Sequence, residues 1–187
     1  MDCLEGADTL FISAKLNWCM RMIVIRGPIC AGKSSLCYAL RDSIPNSSLV
    51  SADKIKRAID NTTASRWRDE IAFKNTVHLT KLLIKVKRVV IIDIHSNNLK
   101  QLNIFKALAR RNRYNFNSYL LFQPLATCIE RNHNRAIPDV KYSITDNEIK
   151  SYWKSTIKIK GEKIIDTSLL AVTDICRNID KSWLYPL

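Results

Sequence analysis

The stretch Met22–Leu36, "MIVIRGPICAGKSSL", decides how the rest of the chain is read. Met22, Ile23, Val24 and Ile25 form an unbroken apolar run, the mark of a strand covered on both faces. Two glycines follow, Gly27 and Gly32, although the whole 187-residue chain holds only four. Glycine lacks a Cβ and reaches backbone angles closed to other residues, so a chain this poor in it has local reasons for each one. Beyond Gly32 lie Lys33 and Ser34, and the spacing of Leu36, Ala39 and Leu40 opens a helix over 33–44.

Gly27-Pro28-Ile29-Cys30-Ala31-Gly32-Lys33-Ser34 fits the pattern G-x-x-x-x-G-K-[ST]. With glycine at about 7% of residues in average proteins, chance supplies such a match in well under about 1% of chains this long. Set between a strand and a helix, the backbone N–H groups of this loop and of Ser35 can converge with the positive helix end on phosphate oxygens. Lys33 then reaches the β- and γ-phosphates, and the Ser34 hydroxyl suits Mg²⁺. A nucleoside triphosphate with magnesium is the first expected ligand.

Working outward, apolar β-branched runs alternate with helical patterns. Strands are expected at 21–27, 47–53, 88–94, 117–123 and 163–168. Helices are expected over "DKIKRAID", from Ser65 to about Val86, over 99–111 and 125–136, near Thr145–Lys154, and over 169–181. This order implies an α/β fold, a parallel sheet with helices on both faces. In the helix from Ser65, the stripe Trp67, Ile71, Leu82 and Val86 reads as the core-facing side, with His78 as a core-edge histidine rather than a ligand. Residues 1–20 read as an N-terminal extension and 21–187 as a single domain.

Thirty Lys and Arg against 17 Asp and Glu give a formal charge of +13. That excess favours polyanionic partners, whether nucleic acid, an anionic membrane surface or highly phosphorylated ligands, with a compositional lysine bias as the bland alternative. Between 81 and 113 nine Lys and Arg face a single acid, Asp93. The six cysteines form no C-x-x-C pair, which argues against a zinc knuckle or redox motif and for reduced, mostly buried thiols. Asp2, Glu5 and Asp8 stand where a secretory signal needs positive charge, and no run approaches the roughly 20 apolar residues of a membrane span. A soluble, cytoplasmic protein is expected.

A phosphate loop alone does not separate a switch, a motor and a kinase. The guanine-reading N-K-x-D segment of a GTPase is absent from the sequence, and motor ATPases are usually larger. A small kinase remains, which needs a base for the acceptor and cations over the γ-phosphate. Asp53 ends the second strand, where parallel α/β folds build their sites; it can serve as that base or as the N-cap of "KIKRAI". Lys56 and Arg57, within a turn, are placed to hold an anionic acceptor. Asp93, at the end of the most strand-like segment, is positioned to organise magnesium or the acceptor, and His95 follows on the same loop. Arg131 and Arg135 are four apart and share a helix face, suited to a triphosphate or simply to solvent. Pro138 marks the exit of a lid placed around 125–155.

"GPICAGKSS", "SADKIKRAI", "VVIIDIHSNN" and "CIERNHNRAIP", in that order, resemble the P-loop kinases of the polynucleotide 5′-kinase and zeta-toxin type. The later "EKIIDTSLLAVTDICRNI" is similar to the strand and helix that close many small P-loop kinases. The resemblance covers most of 21–181 and implies a three-layer P-loop NTPase fold, strand order 2-3-1-4-5 with a helical lid, and transfer of the γ-phosphate of ATP to a hydroxyl. It makes Gly27 to Ser35 the ATP and Mg²⁺ loop with Lys33 catalytic, Asp53 the general base, Arg131 and Arg135 the lid cations, and Asp93 the acid beside the acceptor. Where polynucleotide kinases place an arginine three residues after the base, this chain has Lys56, a point charge without a bidentate fork. The leading expectation is a kinase for the 5′-hydroxyl of RNA or DNA. The alternatives are a small-molecule kinase and a nucleotide-binding regulator without turnover.

Overall fold

The computed structural model describes residues 20–59, 66–94, 99–134, 144–156 and 158–184. Five strands, β1 (Arg21–Arg26), β2 (Ser47–Ser51), β3 (Val89–Asp93), β4 (Asn115–Phe122) and β5 (Lys163–Asp166), form one sheet in the order β2-β3-β1-β4-β5. Every pairing is parallel, with Ile23 opposite Ile91 and Asn117, Leu49 opposite Ile91, and Leu120 opposite Ile164. Among the described residues seven helices connect and cover the strands: α1 (Lys33–Ser43), α2 (Ala52–Ile59), α3 (Arg66–Lys85), α4 (Leu99–Arg111), α5 (Leu125–His133), α6 (Asp146–Lys154) and α7 (Val172–Leu184). The expected strand order and α/β class are what the chain adopts.

Side chains alternate across a strand, so each central strand feeds two cores. Ile23, Ile25, Val89 and Ile91 pack with Leu36 and Leu40 of α1 and Ile175 and Ile179 of α7. Met22, Val24, Val90 and Ile92 pack on the other face with Ile84 of α3 and Leu102 and Phe105 of α4. A third, smaller cluster of Ile29, Cys128 and Ile149 joins the loop after β1 to α5 and α6. All six residues of β1 are buried, which is why its sequence is continuously apolar at the centre.

The expected core stripe of α3 is reversed. Trp67, Ile71, Leu82 and Val86 face outward, with Trp67 53% and Val86 65% exposed, and His78 is exposed rather than at the core edge. The buried face is Ala72, Thr76, Thr80 and Ile84. Thr76 and Thr80 donate their hydroxyls to the carbonyls of Ala72 and Thr76, both at 2.8 Å, so these threonines bury as satisfied, small residues against the sheet. Tyr114, Phe116 and Trp153 serve packing, Tyr114 being buried and Trp153 donating its indole N–H to the Gln123 carbonyl at 2.8 Å. The expected N-terminal extension lies outside the described residues except for Met20.

Candidate active site

Gly27 leaves β1 at φ +148°, and a Cβ there would lie 2.5 Å from the Leu121 carbonyl oxygen on the neighbouring strand. No other residue fits without moving sheet backbone. Gly32, at φ +88° in the left-handed region, turns the chain into α1, and its carbonyl accepts the first helical bond from Leu36 N–H at 3.0 Å. Between them Cys30 also takes a positive φ, 63°. The result is a tight loop around the N-terminus of an 11-residue helix, where unpaired N–H groups favour anions.

This loop forms one wall of a cavity of about 610 Å³, lined there by Ile29 to Ser35. Lys33 is buried, and its ammonium donates to the Pro28 carbonyl at 2.7 Å, inside the loop it belongs to. Burial pulls its pKa below the usual lysine range, opposed by the nearby charges of Asp93 and Asp53. Ser34 donates its hydroxyl to Asp93 Oδ2 at 2.8 Å, and Ser51 reaches the same oxygen at 3.4 Å. Asp93 is 2% exposed, held by β3 beside the end of β1. One buried carboxylate with two hydroxyls is an oxygen donor set suited to Mg²⁺, which takes few protein ligands and completes its shell with water and phosphate. Among the described residues no group of three or more His, Cys, Asp or Glu forms a dedicated metal cage.

The helix α2 also contributes to the cavity lining. It begins at Ala52, and the Ser51 hydroxyl accepts the Lys54 N–H at 3.5 Å, so Ser51 and not Asp53 occupies the capping position. Asp53 sits one place inside the first turn and lines the cavity, as do Lys54 and Arg57. The Lys54 ammonium lies 4.8 Å from the centre of the Tyr38 ring. Lys56 turns instead to Asp69 of α3 at 3.0 Å and is not part of the lining. Arg131 of α5 also lines the cavity, donating to the Cys30 carbonyl of the phosphate loop at 3.4 Å. Arg135, His95 and Pro138 lie outside the described residues; α5 ends at His133.

Thr167 and Gln123 carry a part of the site that the sequence reading did not single out. The Thr167 hydroxyl lies 3.2 Å from the Ala31 carbonyl, 3.0 Å from that of Phe122 and 2.5 Å from Gln123 Oε1, fastening the end of β5 to the phosphate loop. After it, Leu170, Ala171, Val172 and Ile175 add apolar lining to the cavity. The signal was present in "DTSLLAV", read only as a closing strand and helix.

The fold is shared with solved structures of low sequence identity. A sugar kinase from Janibacter sp. HTCC2649 superposes with a TM-score of 0.66 at 12% identity, over 88% of this chain and 94% of that one. The APS kinase of Mycobacterium tuberculosis in complex with AMPPNP and APS gives 0.64 at 11% identity, over 87% and 96%. A chain of the Pnkp1/Rnl/Hen1 RNA repair complex gives 0.61 at 18% identity, over 73% of this chain and 44% of that one. No curated protein matches the chain. The family model described as an AAA domain matches residues 22–155, from β1 through the end of α6, and the chain belongs to this family, one of P-loop kinases.

Proposed function

We propose that this protein is an ATP-dependent kinase that transfers the γ-phosphate to a hydroxyl of an anionic acceptor, the 5′-hydroxyl end of a nucleic acid being the favoured one. The observation that carries the reading is that Asp53 and the phosphate loop line a single cavity, with the Asp53 charge felt at Lys33. The acceptor oxygen attacks the γ-phosphorus, the bond to the β-phosphate oxygen breaks, ADP leaves, and the acceptor proton passes to Asp53. Lys33 exchanges its internal partner, the Pro28 carbonyl, for phosphate oxygens, and Arg131 neutralises charge from the lid side. Ser34 and Asp93 would hold Mg²⁺, which when bound draws charge from the β- and γ-oxygens. Lys54 and Arg57, on the same helix as Asp53, hold the acceptor's own anionic groups.

The likeness to a chain of an RNA repair complex supports the nucleic-acid acceptor. A second reading, a small phosphorylated or carboxylated alcohol, is favoured by a specific observation. Lys56 is committed to Asp69, and Lys85, Lys87, Arg110, Arg111 and Arg113 flank the starts of β3 and β4, away from the strand ends that carry the cavity. Radiolabelled ATP with a 5′-hydroxyl oligonucleotide separates the two. Label on the oligonucleotide, abolished by Lys33→Ala and by Asp53→Asn in folded protein, is the expected result. ATP consumption without labelled oligonucleotide favours the small acceptor, and near-normal turnover by Asp53→Asn removes Asp53 as the base.

A further inference from the structure

Five exposed cations, Lys85, Lys87, Arg110, Arg111 and Arg113, gather around the starts of β3 and β4, at the pole opposite the strand ends that carry the cavity. β3 and β4 both flank β1 and run parallel to it, so the turns that precede them lie side by side, about 10 Å apart at two strand spacings. β1 is six residues long, which puts about 20 Å between these turns and the phosphate loop. Tyr114 couples the two turns, its buried hydroxyl lying 3.2 Å from the carbonyls of both Ile84 and Arg88.

Each turn ends its helix in the same way. After α3, Arg88 N–H bonds the Leu83 carbonyl at 3.1 Å and Lys87 N–H that of Ile84 at 3.0 Å. After α4, Tyr114 N–H bonds the Ala109 carbonyl at 2.9 Å and Arg113 N–H that of Arg110 at 3.3 Å. These are paired Schellman closures, whose left-handed position is normally glycine. Here it holds Lys87 at φ 53° and Arg113 at φ 59°. Lys85, Arg110 and Arg111 are in the last helical turns, where the negative helix end by itself accounts for cations. That account does not reach Lys87 and Arg113, which lie past the helices and carry backbone strain that glycine would remove.

Lys85, Lys87, Arg110, Arg111 and Arg113 are all exposed, and among the described residues none is in an ion pair with an acid. At the neighbouring turn into β2, Asp42 is engaged by Arg41 at 2.7 Å. We infer that this face is a second binding surface, which takes the phosphodiester backbone of a nucleic acid without reading its sequence. Three of the five cations are guanidiniums, whose planar forks match phosphate. Val86 is the one large apolar side chain exposed in these two turns, too little to anchor in a lipid surface. The inference does not rest on the kinase reading, because the surface and the cavity are separate.

The test is fluorescence anisotropy of a labelled duplex DNA with phosphorylated 5′ ends, titrated with the full chain at several salt concentrations. Five cations on phosphate are expected to give a slope of log K against log salt of about −4.5. Lys87→Gly combined with Arg113→Gly suits the left-handed backbone and keeps the fold, and it is expected to flatten that slope by about 2 and weaken low-salt binding about tenfold or more. Lys85→Glu with Arg111→Glu, on helical backbone, is expected to abolish binding, with ATP affinity unchanged in both variants. A wild-type chain that ignores the duplex overturns the inference. So does an unchanged slope in the glycine variant, or binding to phosphatidylserine vesicles with none to DNA.

Discussion

Gly27 and Gly32 sit five positions apart for two different reasons, and both are steric. Gly27 is crossed by the Leu121 carbonyl, so Gly27→Ala forces sheet backbone apart and is expected to cost at least about 2 kcal/mol in urea unfolding. Gly32 has open space, with Arg131 Nη1 3.9 Å from a Cβ, and its constraint is the left-handed turn into α1. Cys30 lines the cavity half-buried, whereas Cys37, Cys128 and Cys176 are buried. Burial holds the Cys128 thiol up to about 11 and pushes Cys37 up as well, so at pH 8 neither offers thiolate to an alkylating agent. Among these four, iodoacetamide is expected to modify Cys30 first, and ATP to protect it. Peptide mass mapping reads both; alkylation of Cys30 undiminished by saturating ATP would contradict the placement of the nucleotide. The phosphate loop was legible residue by residue because its pattern is local. Thr167 was not, since its partners Ala31 and Gln123 are 136 and 44 positions away.

The central strands β1 and β3 announced themselves by continuous apolar runs, because strands covered on both faces leave no polar alternation to mislead. α3 did mislead. Trp67, Ile71, Leu79 and Leu82 point outward, while Ala72, Thr76, Thr80 and Ile84 are buried and Phe73, Val77 and Leu83 pack against the core, the small Ala72, Thr76 and Thr80 letting the helix approach the sheet. Ala72→Leu is therefore expected to destabilise by about 1–3 kcal/mol through overpacking, while Trp67→Ser stays within about 0.5 kcal/mol. Thermal or urea unfolding of the two variants checks the orientation, and the reverse ranking would return the apolar stripe to the core. The helix near Thr145 was read correctly at its start for a local reason. Thr145 and Glu148 form a reciprocal cap, the Thr145 hydroxyl accepting Glu148 N–H at 3.3 Å and Glu148 accepting Thr145 N–H at 2.8 Å.

The sheet gives the molecule two poles: strand ends that carry the cavity, and strand starts flanked by Lys85, Lys87, Arg110, Arg111 and Arg113, which have no acidic partner among the described residues. Its order came from resemblance, because which strands neighbour one another is a long-range fact that periodicity does not hold. A buried ion pair crosses beneath it. Arg26 Nε donates to Glu162 Oε1 at 2.6 Å with both side chains 1% exposed, and Ser118 donates to the same oxygen at 2.8 Å. Glu162→Ala leaves a buried guanidinium without its carboxylate and is expected to cost about 3–5 kcal/mol, read as a lower urea midpoint. No described helix is long and apolar enough to cross a membrane. The most direct measurement of the whole account is calorimetric titration of the chain with ATP in the presence of magnesium. Saturable uptake at one site, weakened at least about tenfold by Lys33→Ala, is the expected result. Absence of heat in the wild type, or equal affinity in the folded Lys33→Ala variant, would contradict it.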